Sequence, residues 1–335
     1  MNIVLLGAGA MGSLFGARLA QAGHAVTLVD IARAHLDAIA AHGLRLDSDA
    51  GSTQVPGLAV FEPKDWVGSV QAPGGRAPEL LIVFTKTLHT EAALRGVASA
   101  IGPQTQVLSL QNGLGNVEKL AAVVDPARIL VGVTTWPADL IGPGHVASHG
   151  AGGIRLMQAD GRRSTALEQA ASALQSAGLN CEIDERVWHA IWEKVAFNAA
   201  LNTLCTVTGC TVDQLALAED GPELALEIVQ EVVAVARASG FDVAPGPVCD
   251  KVLHAIAAHA GHHPSMAQDM QAGRPTEIDS INGAVVARAE ALGVAVPATR
   301  TLMRLVRLMQ ARAALPLRPP PGAPGGHAPQ AQAPG

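Results

Sequence analysis

The feature that most constrains this chain lies in residues 2–12, where the apolar run NIVLL leads straight into Gly7-Ala8-Gly9-Ala10-Met11-Gly12. A strand, then G-x-G-x-x-G, then a helix-period segment (Met11, Leu14, Phe15, Arg18, Leu19, closing at Gly23) is the setting in which this motif binds a dinucleotide. The first glycine permits a tight turn, the second lets backbone approach a pyrophosphate, and the third lets helix and strand pack closely. The helix N-terminus then turns free N–H groups toward the anion. Gly7, Ala8, Gly9, Ala10, Met11 and Gly12 are therefore the expected cofactor-binding loop.

Strand and helix signals alternate through the first half of the chain. Further β-branched or Leu-rich runs stand at 25–29, 80–84, 106–110 and 129–133, with helix-like stretches at 33–42, 90–101 and 115–124 between them. Such alternation implies an α/β fold with a parallel sheet and right-handed crossovers. Residues 71–78 (QAPGGRAP) read as an exposed loop, and 145–157 as a glycine-turned hairpin at the sheet edge. After about residue 185 helical patterns take over, at 186–205, 222–239, 248–260, 275–292 and 298–313. The expected organisation is a dinucleotide-binding domain over 1–185, an all-α C-terminal domain over 186–315, and a tail over 316–335. From Pro316 that tail holds seven Pro and four Gly, a composition that forms no packed core, so it reads as disordered.

Composition narrows the partners. With 49% hydrophobic and 16% charged residues the chain can offset its ordering entropy by burial. Its 23 Lys+Arg against 29 Asp+Glu leave a net charge of -6, which excludes a nucleic acid or an anionic membrane as an expected partner. No apolar run approaches the ~18 residues of a membrane span. No basic residue precedes the apolar stretch at residues 2–6, the first being Arg18, and glycines interrupt it, so it does not read as a secretion signal. Cys181, Cys205, Cys210 and Cys249 form no C-x-x-C pair and read as reduced thiols of a cytoplasmic protein.

Several side chains carry chemistry. Asp30 ends the second strand eighteen residues after Gly12, where a carboxylate would accept from an adenosine ribose and repel a 2′-phosphate, which favours NAD. It reads alternatively as the N-cap of a helix over 32–42. Arg33 follows three residues later and offers a guanidinium to such a phosphate. Lys86 and Asn112 each follow a strand at the carboxyl edge of the sheet, where ligands of open α/β sheets bind, although Lys86 also reads as a solvated lysine. In the helix over 186–205, Lys194, Asn198 and Asn202 fall at i, i+4 and i+8, one polar line on a largely apolar helix. Asn is a poor helix former, so two of them in mid-helix point to a substrate-facing stripe over a merely wet face. Ser265 and Glu277 belong to another polar concentration, 265–269 and 276–279, in which Thr276 reads alternatively as an N-cap of the helix over 275–292 and Glu277 as a favoured first-turn carboxylate. His254, His259, His262 and His263 lack any H-E-x-x-H spacing, so no metal site is expected.

Together GAGAMG, QNGLGN at 111–116, WEKVAFNAALNTL at 192–204 and SMAQDMQAGRPTEIDSINGAVV at 265–286 resemble the ketopantoate reductase (2-dehydropantoate 2-reductase) family over roughly residues 1–313. The resemblance implies a Rossmann-type dinucleotide-binding domain followed by an all-α domain. NADPH and ketopantoate would meet in the cleft, with reduction yielding (R)-pantoate for pantothenate biosynthesis. Position by position it implies Lys194 as catalytic acid and Asn198, Asn202 and Ser265 as substrate-binding residues. Lys86, Asn112 and Glu277 match cofactor or active-site positions. Lys194 and Glu277 are thus the expected catalytic pair, no metal is required, and apolar helical faces of this kind can pair into a homodimer.

Two positions depart from the family pattern. NADPH-dependent members resemble one another in an Arg soon after the second strand, whereas this chain has Asp30 and one extra residue before Arg33, which opens the way to NADH. A further Asn beyond the stripe is replaced by Val212. Both favour an alternative reading, an NAD-dependent D-2-hydroxyacid dehydrogenase on the same scaffold. A non-catalytic nucleotide sensor that keeps only the glycine loop is the third reading, opposed by the intact Lys194, Asn198 and Glu277. The expected partner is a small 2-keto acid.

Overall fold

Strands covered on both faces have no polar face to show, and the short Leu, Ile and Val runs of this chain behave that way. The computed structural model describes residues 1–258 and 260–314. Its strands are β1 (Asn2–Leu6), β2 (Ala25–Val29), β3 (Leu44–Ser48), β4 (Gly51–Val55), β5 (Ala59–Phe61), β6 (Leu80–Val83), β7 (Gln106–Ser109), β8 (Ile129–Thr134), β9 (Asp139–Gly142), β10 (His145–Ser148), β11 (Ile154–Gln158) and β12 (Cys181–Ile183). Eight of them form one sheet in the order β5-β2-β1-β6-β7-β8-β11-β12. The first six run parallel, and β11 and β12 turn antiparallel to them at one edge. The order reverses between β1 and β6, which makes that junction the topological switch point of a Rossmann-type sheet.

The helices are α1 (Ala10–Gln21), α2 (Arg33–His42), α3 (Pro63–Gln71), α4 (Thr90–Val97), α5 (Asn116–Ala121), α6 (Thr165–Ser176), α7 (Val187–Thr208), α8 (Gly221–Ala238), α9 (Pro245–Ala258), α10 (Ser265–Gln271), α11 (Asn282–Leu292) and α12 (Pro297–Ala314). Strand alternation assigns the two sheet faces. Val4, Leu6, Leu81, Val83, Val107 and Ile129 pack with Trp66 of α3, Leu94 and Val97 of α4 and Leu120 of α5. Ile3, Leu5, Ile82, Leu108 and Leu130 face α1 and α6, in a core that runs on without a break into α7, α8 and α11. From Val187 onward the described residues form helices and turns only. Because α8, α9, α10 and α12 all pack around α7, that helix is apolar around most of its circumference, which makes its polar line conspicuous.

Four sequence expectations need correction. Residues 145–157 are not a hairpin: β10 joins β3, β4 and β9 in a second, four-stranded sheet, while β11 crosses to the main one. The helix expected over 275–292 begins only at Asn282, and residues 276–281 instead make tight turns in which Ser280 and Ile281 N–H donate to the Glu277 carbonyl. Thr276 consequently caps no helix; its hydroxyl accepts from Ile278 N–H at 3.3 Å. Asp30 is not the N-cap of α2 either, since that place falls to Ala32 without any side-chain bond. The loop at 71–78 is exposed along nearly its whole length, as expected. The tail over 316–335 and His259 lie outside the described residues. Among the described residues no helix is long and apolar enough to cross a membrane.

Candidate active site

The β1–α1 connection is built for a close approach. A Cβ on Gly12 would lie 1.9 Å from the Gly7 carbonyl oxygen, so any side chain there would force helix and strand apart. A Cβ on Gly9 would meet nothing within 4 Å; its hydrogen faces open space at the start of α1, where no side chain caps the helix. That combination of an uncapped helix N-terminus and a bare backbone fits a pyrophosphate. Asp30 reaches back from the end of β2: one carboxylate oxygen accepts from Ala8 N–H at 2.5 Å, the other from Ile31 and Ala32 N–H at 2.7 and 2.9 Å. Beneath the loop a buried relay runs from Gly144 N–H to His35 Nδ1 (3.0 Å), from His35 Nε2 to Ser13 Oγ (2.9 Å) and on to the Ala8 carbonyl (2.8 Å). Burial lowers the His35 pKa and keeps the ring neutral, which leaves Nδ1 able to accept. Neither His35 nor Ser13 was legible as part of the site, since each reads in sequence as an ordinary helix residue.

At the same edge of the sheet the helical elements contribute Glu277. Its carboxylate lies 3.3 Å from the Asn112 amide nitrogen, 3.3 Å from the Thr87 hydroxyl and 3.4 Å from Thr87 N–H. The loop bearing Asn112 docks directly on the turn that presents Glu277. Leu114 N–H donates to the Ser280 carbonyl at 2.8 Å, and a Cβ on Gly113 would lie 2.2 Å from that same oxygen. Lys86 is not a solvated lysine. Its ammonium meets the Asp269 carboxylate and the Pro275 carbonyl, both at 2.8 Å, and Asp269 also takes Arg274 at 2.9 Å. Thr87 escaped the sequence reading, and Asp269, within the polar concentration 265–269, could not be matched to Lys86, because these partners are remote in the chain; Asp269 stands one helical turn after Ser265 on α10.

Lys194, Asn198 and Asn202 project from α7 into a cleft of about 760 Å³ that Asn112, Ser265 and Val212 also line. Apolar side chains, among them Trp136, Phe197 and Leu201, form much of its wall. The Lys194 ammonium donates to the Thr134 carbonyl, the last residue of β8, at 2.6 Å. Burial strips water from this ammonium and pulls its pKa down to about 8, against the opposing pull of the Glu277 charge. The cleft thus joins the predicted polar line to Asn112 and Ser265. Glu277 and Lys86 stand beside it, and the glycine loop and Asp30 lie farther along the carboxyl edge of the sheet. Among the described residues no group of three or more His, Cys, Asp or Glu is placed to hold a metal ion.

A parallel sheet with a bare glycine loop at its switch point, and a partly desolvated lysine at its carboxyl edge, define a dinucleotide-dependent oxidoreductase. Residues 3–161 match the family described as ketopantoate reductase PanE/ApbA, and residues 186–310 match its C-terminal counterpart. A Streptococcus pyogenes protein named 2-dehydropantoate 2-reductase is 34% identical over 312 residues, 93% of this chain and 98% of its own length. A solved D-mandelate dehydrogenase with NADH and anilino(oxo)acetate is 30% identical with a TM-score of 0.87, covering 94% of this chain and 100% of that one. A PanE/ApbA family ketopantoate reductase from Ralstonia eutropha is 31% identical with a TM-score of 0.84, again covering 94% and 100%. The chain belongs to the ketopantoate reductase family. Its cofactor is a nicotinamide dinucleotide, and its substrate a small keto acid.

Proposed function

We propose that this chain is a 2-dehydropantoate 2-reductase, reducing the keto group of ketopantoate to the hydroxyl of pantoate. The observation that carries the reading is the desolvated Lys194 at the head of a polar line that continues through Asn198 and Asn202 in one cleft. The bound dinucleotide supplies the hydride that reaches the keto carbon. Lys194 hydrogen-bonds the keto oxygen, stabilises the negative charge that develops there, and delivers the proton that completes the hydroxyl. Asn198, Asn202 and Ser265 orient the carboxylate and distal hydroxyl of the substrate. Glu277 braces Asn112 and Thr87 and balances the ammonium. The loop Gly7–Gly12 holds the pyrophosphate, with Lys86 and Asn112 beside the remainder of the cofactor.

The pH dependence follows from the Lys194 pKa of about 8. The acid must be protonated to act in reduction, so kcat/KM for the keto acid should be level below that value and fall about tenfold per pH unit above it. Oxidation of the hydroxy acid needs the neutral amine, so it should rise about tenfold per pH unit below about 8 and level off above it. A reduction profile level to about pH 10 would remove Lys194 as the proton donor.

For the cofactor we propose NADH. Asp30 already accepts three backbone N–H groups, yet a carboxylate has room for about four donors, so it can also take a ribose hydroxyl while its charge repels a 2′-phosphate. Asp30→Ala should raise the NADPH:NADH ratio of kcat/KM; an unchanged ratio would separate Asp30 from the ribose.

A second reading has its own support. Val212, 1% exposed, lines the cleft where it offers a substrate no hydrogen bond, and Phe197, Leu201 and Trp136 continue an apolar wall. Such a wall suits a D-2-hydroxyacid dehydrogenase for bulkier 2-keto acids, and the likeness to a D-mandelate dehydrogenase points the same way. One assay separates the two: nicotinamide absorbance followed with ketopantoate and a panel of aliphatic and aryl 2-keto acids, each with NADPH and with NADH. The highest kcat/KM for ketopantoate supports the first reading; a clear win for an aryl or branched keto acid replaces it with the second.

A further inference from the structure

We infer that Glu62, a residue outside the glycine loop and the polar line, is a positioning residue for cofactor choice: it holds Arg33 away from the 2′ position of the adenosine ribose. The inference rests on the reading that the adenosine end of the dinucleotide meets Asp30. Asp30 and Glu62 leave the carboxyl ends of the neighbouring strands β2 and β5, joined by a 3.2 Å bond from Asp30 N–H to the Phe61 carbonyl. Arg33, a cation near the end of β2 that could meet a 2′-phosphate, is paired instead with Glu62, Nη1 to Oε1 at 3.0 Å.

The local needs of the two helices do not explain this pair. Glu62 occupies the N-cap of α3 but makes no side-chain bond to that helix, and it reaches across to Arg33 instead. Arg33 is the first residue of α2, where the helix dipole disfavours a cation, and no acidic residue of its own first turn offsets the charge. Arg33 thus sits where its own helix does not favour it, and the pair with Glu62 leaves a guanidinium already neutralised near Asp30. The pair is separable, since the Arg33 side chain is 70% exposed and that of Glu62 36%. Discrimination through it is therefore graded, with Asp30 setting the sign and Glu62 withholding the compensating charge. An arriving 2′-phosphate would have to displace a carboxylate from Arg33 and settle near two acidic side chains.

The test is direct binding of NADPH and NADH to the full-length protein by titration calorimetry, on wild type, Glu62→Gln, Arg33→Ala and the double variant. In Glu62→Gln, NADPH should bind about threefold to fivefold more tightly, the gain expected from releasing an exposed ion pair, with NADH affinity constant within about twofold. In the Arg33→Ala background the same substitution should change NADPH affinity by less than about twofold. Damage to the fold would weaken both dinucleotides together and so is told apart. Unchanged NADPH affinity in Glu62→Gln overturns the inference, as does an equal gain without Arg33, which would make Glu62 a simple repulsive charge. Wild-type protein that binds NADPH more tightly than NADH refutes the NADH reading, while the variant comparison still decides the role of Glu62.

Discussion

Lys194→Ala should lower kcat for keto acid reduction by about 10²- to 10⁴-fold, the range for loss of a positioned proton donor. Binding of the dinucleotide should be retained, because no contact of Lys194 with the glycine loop or with Asp30 exists to be lost. The residual rate should also lose the decline above about pH 8, since the group responsible for it is gone. Stability should hold or rise. The burial that lowers the Lys194 pKa is a cost the folded protein carries for a charged group in a cleft, so thermal unfolding of the variant should occur at or above the wild-type temperature. Steady-state kinetics with a thermal melt check both halves, and a kcat within tenfold of wild type would take Lys194 out of the chemistry.

Gly12→Ala should have the opposite pattern. The added methyl would sit 1.9 Å from the Gly7 carbonyl oxygen, a backbone atom that cannot rotate away, so β1 and α1 must move apart. Overpacking of this kind costs about 3 kcal/mol at the upper end of its usual range. It also withdraws the helix N-terminus from the anion, and dinucleotide affinity should fall by at least about 100-fold. Calorimetric titration and a thermal melt would register the two losses. Gly9→Ala makes the informative control. Nothing in the protein opposes its methyl, so it should fold as wild type and still bind the cofactor poorly.

Much of this was legible in the sequence, and the reasons differ between elements. The glycine loop, the parallel strands and the polar line on α7 are written in local spacing, and local spacing survives folding. The second sheet was not legible: β10 and β11 look like two arms of a hairpin, and only their partners β3 and β8 send them to different sheets. The start of α11 was misplaced because 276–281 carry helix-compatible residues, and the turn that ends in Asn282 is fixed by contacts with the Asn112 loop. The pairs Lys86–Asp269 and Arg33–Glu62 join distant stretches, so the residues could be singled out but their partners could not. Asp30 was legible as a carboxylate at the end of the second strand. Its grip on Ala8 N–H became visible only with the chain folded.

The geometry of α7 has one more consequence. A helix advances about 1.5 Å per residue, so Asn198 stands about 6 Å and Asn202 about 12 Å along the axis from Lys194. With its flanks locked in the core, α7 would act in the proposed reaction as a rigid graduated rule along the substrate, its zero at Lys194. On that reading a keto acid would be measured by where its distal polar group falls on that scale, at the first mark, at the second, or against the apolar wall beside them. Substitutions around the cleft can change how firmly each mark holds, but they cannot move the marks.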